Sequence, residues 1–190
     1  MTFWIDEDNH PVSSNTAYYY SRIRILFVFF LIALLFGNEP VLAEERSYTL
    51  FTVDVPNGWD GGEKQDFTVG EGGQGYMLVL TCPAADEDRV AAAVSLFVLP
   101  NMHHDDSATH AAKLAAMQEN ASAPRQEGPF WSFTGEPHSK SIDVPAVTRV
   151  NVTDEKVFIA IVQDSGSYGA EKVFQSLRGL TDETRRMLGQ

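Results

Sequence analysis

Cysteine is almost absent: Cys82 is the only one among 190 residues, so no disulfide can form within the chain. A lone thiol ending the apolar run "YMLVLTC" is expected to be a small buried hydrophobe rather than a redox centre. Clusters of Lys and Arg are missing too, and 26 acids face 14 bases for a formal charge of −12. A surface of that sign repels phosphate backbones and anionic lipid, which excludes nucleic-acid binding. The longest apolar run, "ILFVFFLIALLF" at 25–36, has twelve residues, short of the roughly 17–25 that a spanning helix needs. Internal repeats, low-complexity tracts and the H-E-x-x-H and G-x-S-x-G signatures of zinc proteases and serine hydrolases are likewise absent.

The apolar run follows Arg22 and Arg24 and precedes Val41-Leu42-Ala43 and the acidic pair Glu44-Glu45. A positive n-region, an h-region over 25–36 and a small residue at −1 with Val at −3 make residues 1–43 a secretory signal peptide cleaved after Ala43. No twin arginine accompanies it, and no cysteine follows to take a lipid. The expected location is periplasmic or secreted, with no stable membrane span after cleavage; an uncleaved leader would instead tether the protein to the membrane. Residues 44–190 then form a single domain with 22 acids and 12 bases, a net charge of −10. A chain of that length buries enough surface to need no disulfide or metal staple.

From Ser47 onward the pattern is strands joined by turns. "YTLFTVDVP" sets Phe51, Val53 and Val55 on one face, and Pro56-Asn57-Gly58 stops it. "DFTV", "YMLVLTC", "AVSLFVLP", "FWSFTGE", "VPAVTRVNVT" and "VFIAIVQD" read as further strands. Asp154-Glu155-Lys156 suits a hairpin between the last two, and "PAADEDRVAA" is a polar connection with room for one helical turn. Asp106 or Ser107 can cap a helix running to about Asn120, with His110, Leu114, Met117 and Ala121 at helical spacing. "YGAEKVFQSLRGL" predicts a helix with Val173, Phe174, Leu177 and Leu180 in one stripe, and "DETRRMLGQ" a short terminal one. Short turns outnumber crossover helices, so the fold class is α+β, an antiparallel β-sheet flanked by helices.

Gly70, Gly72 and Gly75 match the G-x-G-x-x-G of nucleotide sites. A dinucleotide site needs a helix after the glycines, to present N–H groups to the pyrophosphate. Here "YMLVLTC" follows, a strand pattern, and the lysine and H-R-D loop of a protein kinase are missing. The glycines therefore predict a hairpin turn, and no cofactor is expected.

"NMHHDDSATH" offers His103, His104, Asp105, Asp106 and His110 as potential metal ligands. Adjacent histidines on a regular element cannot easily both face one ion, and the remaining histidine of the domain, His138, lies in another loop. The simpler reading is a solvated turn whose Asp106 caps a helix. "DSGSYG" at 164–169 lacks a base partner for Ser165 or Ser167 and reads as the turn before the last long helix. Trp59, Trp131 and Tyr168 are more at home in a core than lining a pocket. Catalytic, cofactor-binding and metal-binding residues are thus expected to be none. Asn120-Ala121-Ser122 and Asn151-Val152-Thr153 are sequons, meaningful only in a eukaryotic secretory pathway.

The opening strand "FTVDVPNGW" (Phe51–Trp59) and the closing "VFQSL" (Val173–Leu177) after a two-strand hairpin resemble the ends of the PsbP-like sandwich superfamily, which includes DcrB-like exported proteins. The likeness spans about residues 47–180 and implies an antiparallel sheet between helical layers. Members of the superfamily share a scaffold and work through partners, so the resemblance carries over no active-site residues. The expected function is an exported, non-catalytic partner-binding or accessory module of the cell envelope, its protein partner presenting a basic surface. The alternative is a small exported metal-assisted enzyme using the His103–His110 region.

Overall fold

Alternation of large apolar residues with small or polar ones gives the central strands two usable faces. In the computed structural model, which describes residues 43–69, 73–85, 89–136, 142 and 144–190, the strands are β1 (Glu44–Ser47), β2 (Phe51–Val55), β3 (Asp60–Val69), β4 (Gly73–Pro83), β5 (Val90–Pro100), β6 (Arg125–Glu127), β7 (Phe130–Gly135), β8 (Ala146–Val152), β9 (Lys156–Asp164) and β10 (Arg178–Gly179). The helices are α1 (Ser107–Ala115), α2 (Ala170–Gln175) and α3 (Asp182–Leu188). Strands β3-β4-β5-β9-β8-β7-β6 form one sheet and β1-β2-β10 a small second one, every pair antiparallel.

The period of two divides the large sheet's side chains between two clusters. Val94, Leu96, Val98, Phe158, Ala160 and Val162 point to one face, where they meet Phe51, Val53 and Val55 of β2, Val173 and Phe174 of α2 and Met187 of α3. Phe97, Leu99, Val157, Ile159 and Ile161 point to the other and meet Ala111 and Ala115 of α1. The architecture is therefore α+β, with the large sheet sandwiched between α1 and a layer made of the small sheet, α2 and α3. Among the described residues no helix is long and apolar enough to cross a membrane.

Several sequence expectations hold. β2 is buried at Phe51, Val53 and Val55, the β8–β9 hairpin pairs Val152 with Val157, and Asp106 caps α1. Others need correction. β3 and β4 do pair as an antiparallel hairpin, Val69 opposite Gly73, but Gly75 lies inside β4, paired with Phe67, and Gly70–Gly72 lie outside the described residues. β3 begins at Asp60, well before "DFTV", and β1, β6 and β10 are further strands that apolar alternation does not announce. The link before β5 is a hairpin, with Pro83 opposite Val90 and the Ala84 amide bonded to the Arg89 carbonyl.

Helix α1 stops at Ala115 because the chain tightens into i→i+3 bonds at Met117 and Gln118 and then bridges Glu119 to Glu136. Its buried contacts are Ala111 and Ala115, and Met117 is 66% exposed. Helix α2 also ends early. The Ser176 hydroxyl donates to the Val173 carbonyl and accepts from the Asp54 amide, turning the chain so that Arg178 and Gly179 pair with β2. Leu177 stays buried, but Leu180 leaves the predicted stripe and is 44% exposed. Residues 1–42, which include the predicted h-region, and His138 lie outside the described residues.

Candidate functional site

The site begins where Pro100 ends β5. Asn101 is buried and crosses to the β8–β9 turn through its own amide, which donates to the Glu155 carbonyl at 2.7 Å. Its side chain holds the loop that follows: Nδ2 donates to the Asp105 carbonyl (3.0 Å) and the Thr153 carbonyl (3.5 Å), and Oδ1 accepts from the Asp105 amide (3.1 Å). His110 Nε2 lies 3.2 Å from that same Oδ1. His104 adopts a left-handed φ of 52° and sets Nδ1 3.3 Å from the Asp154 carbonyl. One buried amide thus pins the β5–α1 loop to the β8–β9 turn, and the turn closes on itself through Thr153, whose amide donates to the Lys156 carbonyl at 2.9 Å.

Electrostatics in the loop follow from these bonds. Lys113 Nζ lies 2.5 Å from Asp105 Oδ2, and this contact holds the Asp105 carboxyl below its ordinary range. Asp106 is lowered by the amide of Thr109, which it accepts at 2.7 Å as the N-cap of α1. Burial pushes His110 down, with Lys113 and His103 acting in the same direction and Asp105 and Asp106 opposing.

Two open clefts flank the turn and share Val152, Thr153 and Asp154 as a common wall. The smaller, about 280 Å³, is completed by Asn101, His104, Asp105, Asp106 and Ser107. The larger, about 580 Å³, is completed by Asn151, Glu155, Glu183 and Arg186. Asn151 fixes α3 against this wall by donating Nδ2 to the carbonyls of Met187 (2.8 Å) and Arg186 (3.3 Å). Five carboxylates line the pair of clefts against one guanidinium. Asp105 and Asp106 are engaged as described, whereas the side chains of Asp154, Glu155 and Glu183 have no hydrogen bond or ion pair among the described residues.

The fold keeps the sequence-predicted candidates of the His103–His110 stretch close together but gives them separate roles. His103 is exposed, His104 and His110 face backbone and amide oxygens, and among the described residues no group of three or more His, Cys, Asp or Glu is placed to hold a metal ion. In "DSGSYG", Asp164 accepts from four amides, those of Gly166, Tyr168, Gly169 and Ala170. Burial pushes its carboxyl up, but the four N–H donors outweigh this and leave it below the ordinary range. Cys82 is only half-buried, packed against the core, and burial followed by the charge of Asp164 raises its thiol, the reverse of activation. Trp59 belongs to the core and donates Nε1 to the Tyr168 carbonyl, while Tyr168 is 43% exposed.

Sequence reasoning passed over Asn101, Asp154, Glu155, Glu183 and Arg186. The available clue was Asn at a strand exit directly after Pro100, four residues before Asp105. No protein-family model matches this chain, and neither does any curated protein or solved structure at a significant level.

Proposed function

We propose that this protein is an exported, non-catalytic module of the cell envelope, periplasmic or secreted, that docks a protein partner through a basic surface on that partner. The observation that carries the reading is the pair of adjoining clefts at the β8–β9 turn, where the side chains of Asp154, Glu155 and Glu183 have no hydrogen bond or ion pair among the described residues. Carboxylates left unpaired at the rim of a concave surface add attraction for a cationic ligand, because no internal ion pair has to be broken first. The net charge of −10 on residues 44–190 adds long-range steering of the same sign. Hydrolytic chemistry would need an activated nucleophile or an open metal site with a positioned base, and the candidates for those parts are engaged in caps and turns.

The relationship to PsbP-like sandwiches is part of the same proposal. Phe51, Val53, Val55 and Trp59 of the first similar segment and Val173, Phe174 and Leu177 of the second pack into one cluster, consistent with segments that mark a scaffold. The test is capture from a native envelope extract with the protein as bait, beside a variant carrying Asp154→Lys, Glu155→Lys and Glu183→Lys. The expected result is a partner held by the wild type, lost to the variant and weakened by salt, since exposed charges are screened beyond about 8–10 Å. Equal capture by both baits refutes docking at the clefts.

A further inference from the structure

We propose that His110 and Asn101 form a pH-responsive clasp that joins the two walls of the smaller acidic cleft and tunes its charge. This rests on the docking reading only for its consequence, not for its geometry. The amide orientation of Asn101 is set by its neighbours: one side-chain atom faces two backbone carbonyls, of Asp105 and Thr153, and must be the nitrogen. The other faces the Asp105 amide and must be the oxygen. His110 Nε2, 3.2 Å from that oxygen, can only donate. Neutral His110 is therefore the Nε2–H tautomer, with Nδ1 left to take a proton.

Protonation at Nδ1 keeps the bond to Asn101 and strengthens it, since a charged donor makes the better hydrogen bond. It also places a positive charge behind a wall made of Asp105 and Asp106. The charged and titratable groups around the ring are Asp105 and His103 from the loop, Asp106 from the cap and Lys113 from the same helix. Beneath α1, β7 and β8 present Phe133, Thr148 and Val150, none of them titratable. Asp154, from the facing turn, contributes its carbonyl to His104. Asp105 and Asp106 are held below their ordinary range, so they stay ionised while the histidine gains its proton. The cleft becomes less negative as pH falls toward mildly acidic values, yet the two walls remain joined.

His110→Gln supplies the control, because a glutamine amide can donate to the same oxygen and cannot titrate; His110→Ala removes the donor. The experiment follows the imidazole nitrogens of His110 and the amide signals of Asn101 and Thr153 by NMR, in the protein isolated in its exported form, across the mildly acidic range. The expected result is a neutral ring protonated at Nε2, with the Asn101 side-chain and Thr153 signals moving along its titration. In His110→Gln these signals should stay native and lose that movement; in His110→Ala they should shift at every pH. Labelled decalysine then probes the cleft by fluorescence anisotropy. Its affinity for the wild type should fall about twofold more than for His110→Gln on acidification, the effect of one charge several ångströms away in a watery dielectric. A neutral ring protonated at Nδ1, or Asn101 signals indifferent to His110, overturns the clasp. Decalysine that binds nowhere in the range sinks the docking reading alone, and the spectra still decide the clasp.

Discussion

Neutralising Asp164 separates a structural carboxylate from a catalytic one. Helix α2 is six residues long, and its N-cap, Gly169, has no side chain and a φ of 89°. Its first amides are served from five and six residues upstream: Asp164 Oδ2 accepts from Gly169 at 2.9 Å and Ala170 at 3.1 Å, and Oδ1 from Gly166 and Tyr168, both at 3.1 Å. Losing an N-cap acceptor costs about 0.5–2 kcal/mol. With two further loop amides released, Asp164→Ala is placed at about 2 kcal/mol, and Asp164→Asn, which keeps one acceptor, at about 1 kcal/mol. At about 3 °C per kcal/mol for a domain near 150 residues, the melting point should fall by about 6 °C and about 3 °C respectively. Because the Tyr168 carbonyl accepts from Trp59 Nε1, near-ultraviolet circular dichroism should report the loosened loop before global unfolding. The pH dependence supplies the sign. The folded carboxyl lies below its ordinary range, so its contribution is complete above about pH 4 and is lost as pH falls through the lowered folded value. The gap between wild type and Asp164→Asn should therefore narrow steadily as pH falls below the ordinary carboxylate range and through the lowered folded value. Equal melting points near neutrality, or a gap that persists unchanged in acid, would show that the four amides do not depend on this charge.

Three further outcomes follow from the packing. A Cβ at Gly179 would overlap the Arg185 amide nitrogen and lie 2.5 Å from the Thr184 carbonyl carbon, so Gly179→Ala should destabilise by about 2–3 kcal/mol in urea unfolding, whereas Gly62→Ala, which meets nothing within 4 Å, should stay within about 0.5 kcal/mol. Arg149 lies under α2, its side chain 14% exposed, with Nη2 at 3.0 Å and 3.1 Å from the two Glu171 oxygens and the guanidinium 4.6 Å from the centre of the Phe174 ring. Glu171→Ala should cost about 1–2 kcal/mol, less than a fully buried pair because Glu171 is itself half exposed, and Arg149→Met should restore part of that loss in the double variant. Glu63 is pushed up by burial but pulled lower overall by hydrogen bonds from Thr49, Tyr76 and Gln65, and like Asp105, Asp106 and Asp164 it sits below the ordinary range; the urea midpoint should fall as pH drops below about 4, and a midpoint that holds or rises there contradicts these assignments.

What could be read from sequence was whatever burial alone dictates. β2, β5 and β9 announce themselves because residues on both of their faces, or on alternate ones, must leave water. β1 ("EERS") and β6 ("RQE") have no such signature: neither contains a buried residue, and backbone pairing to β2 and β7 places them. β3 is a sheet edge with a bulge between Lys64 and Phe67, and its "DGGEKQ" half follows its partner's register rather than an apolar period. The overlong helices have a related cause. Spacing at His110, Leu114 and Met117 suggests an apolar stripe, but α1 packs through Ala111 and Ala115, whose small side chains let it approach β7 and β8 closely and contribute little to any hydrophobic pattern.

The site was illegible for a different reason. Asn101 matters through bonds to the carbonyls of Thr153 and Glu155, more than fifty positions away, and no local pattern encodes a partner that distant. The residues that looked chemical in sequence were misleading in a consistent way. The helices among the described residues have nine, six and seven residues, so unpaired N-terminal amides are a large share of each, and short helices have little stability of their own. Asp106, Asp164 and Thr181 satisfy those amides for α1, α2 and α3 in turn. An acid or hydroxyl committed to such a bond is a poor base or nucleophile, because the lone pair it would use is occupied and a carboxyl held below its ordinary range gives up proton affinity. Asp66 in β3 aside, the carboxylates left over among the described residues, Asp154, Glu155 and Glu183, are those the fold does not require. Their gathering on one turn and the first turn of one helix, rather than dispersal over the surface, is what directs attention to the clefts.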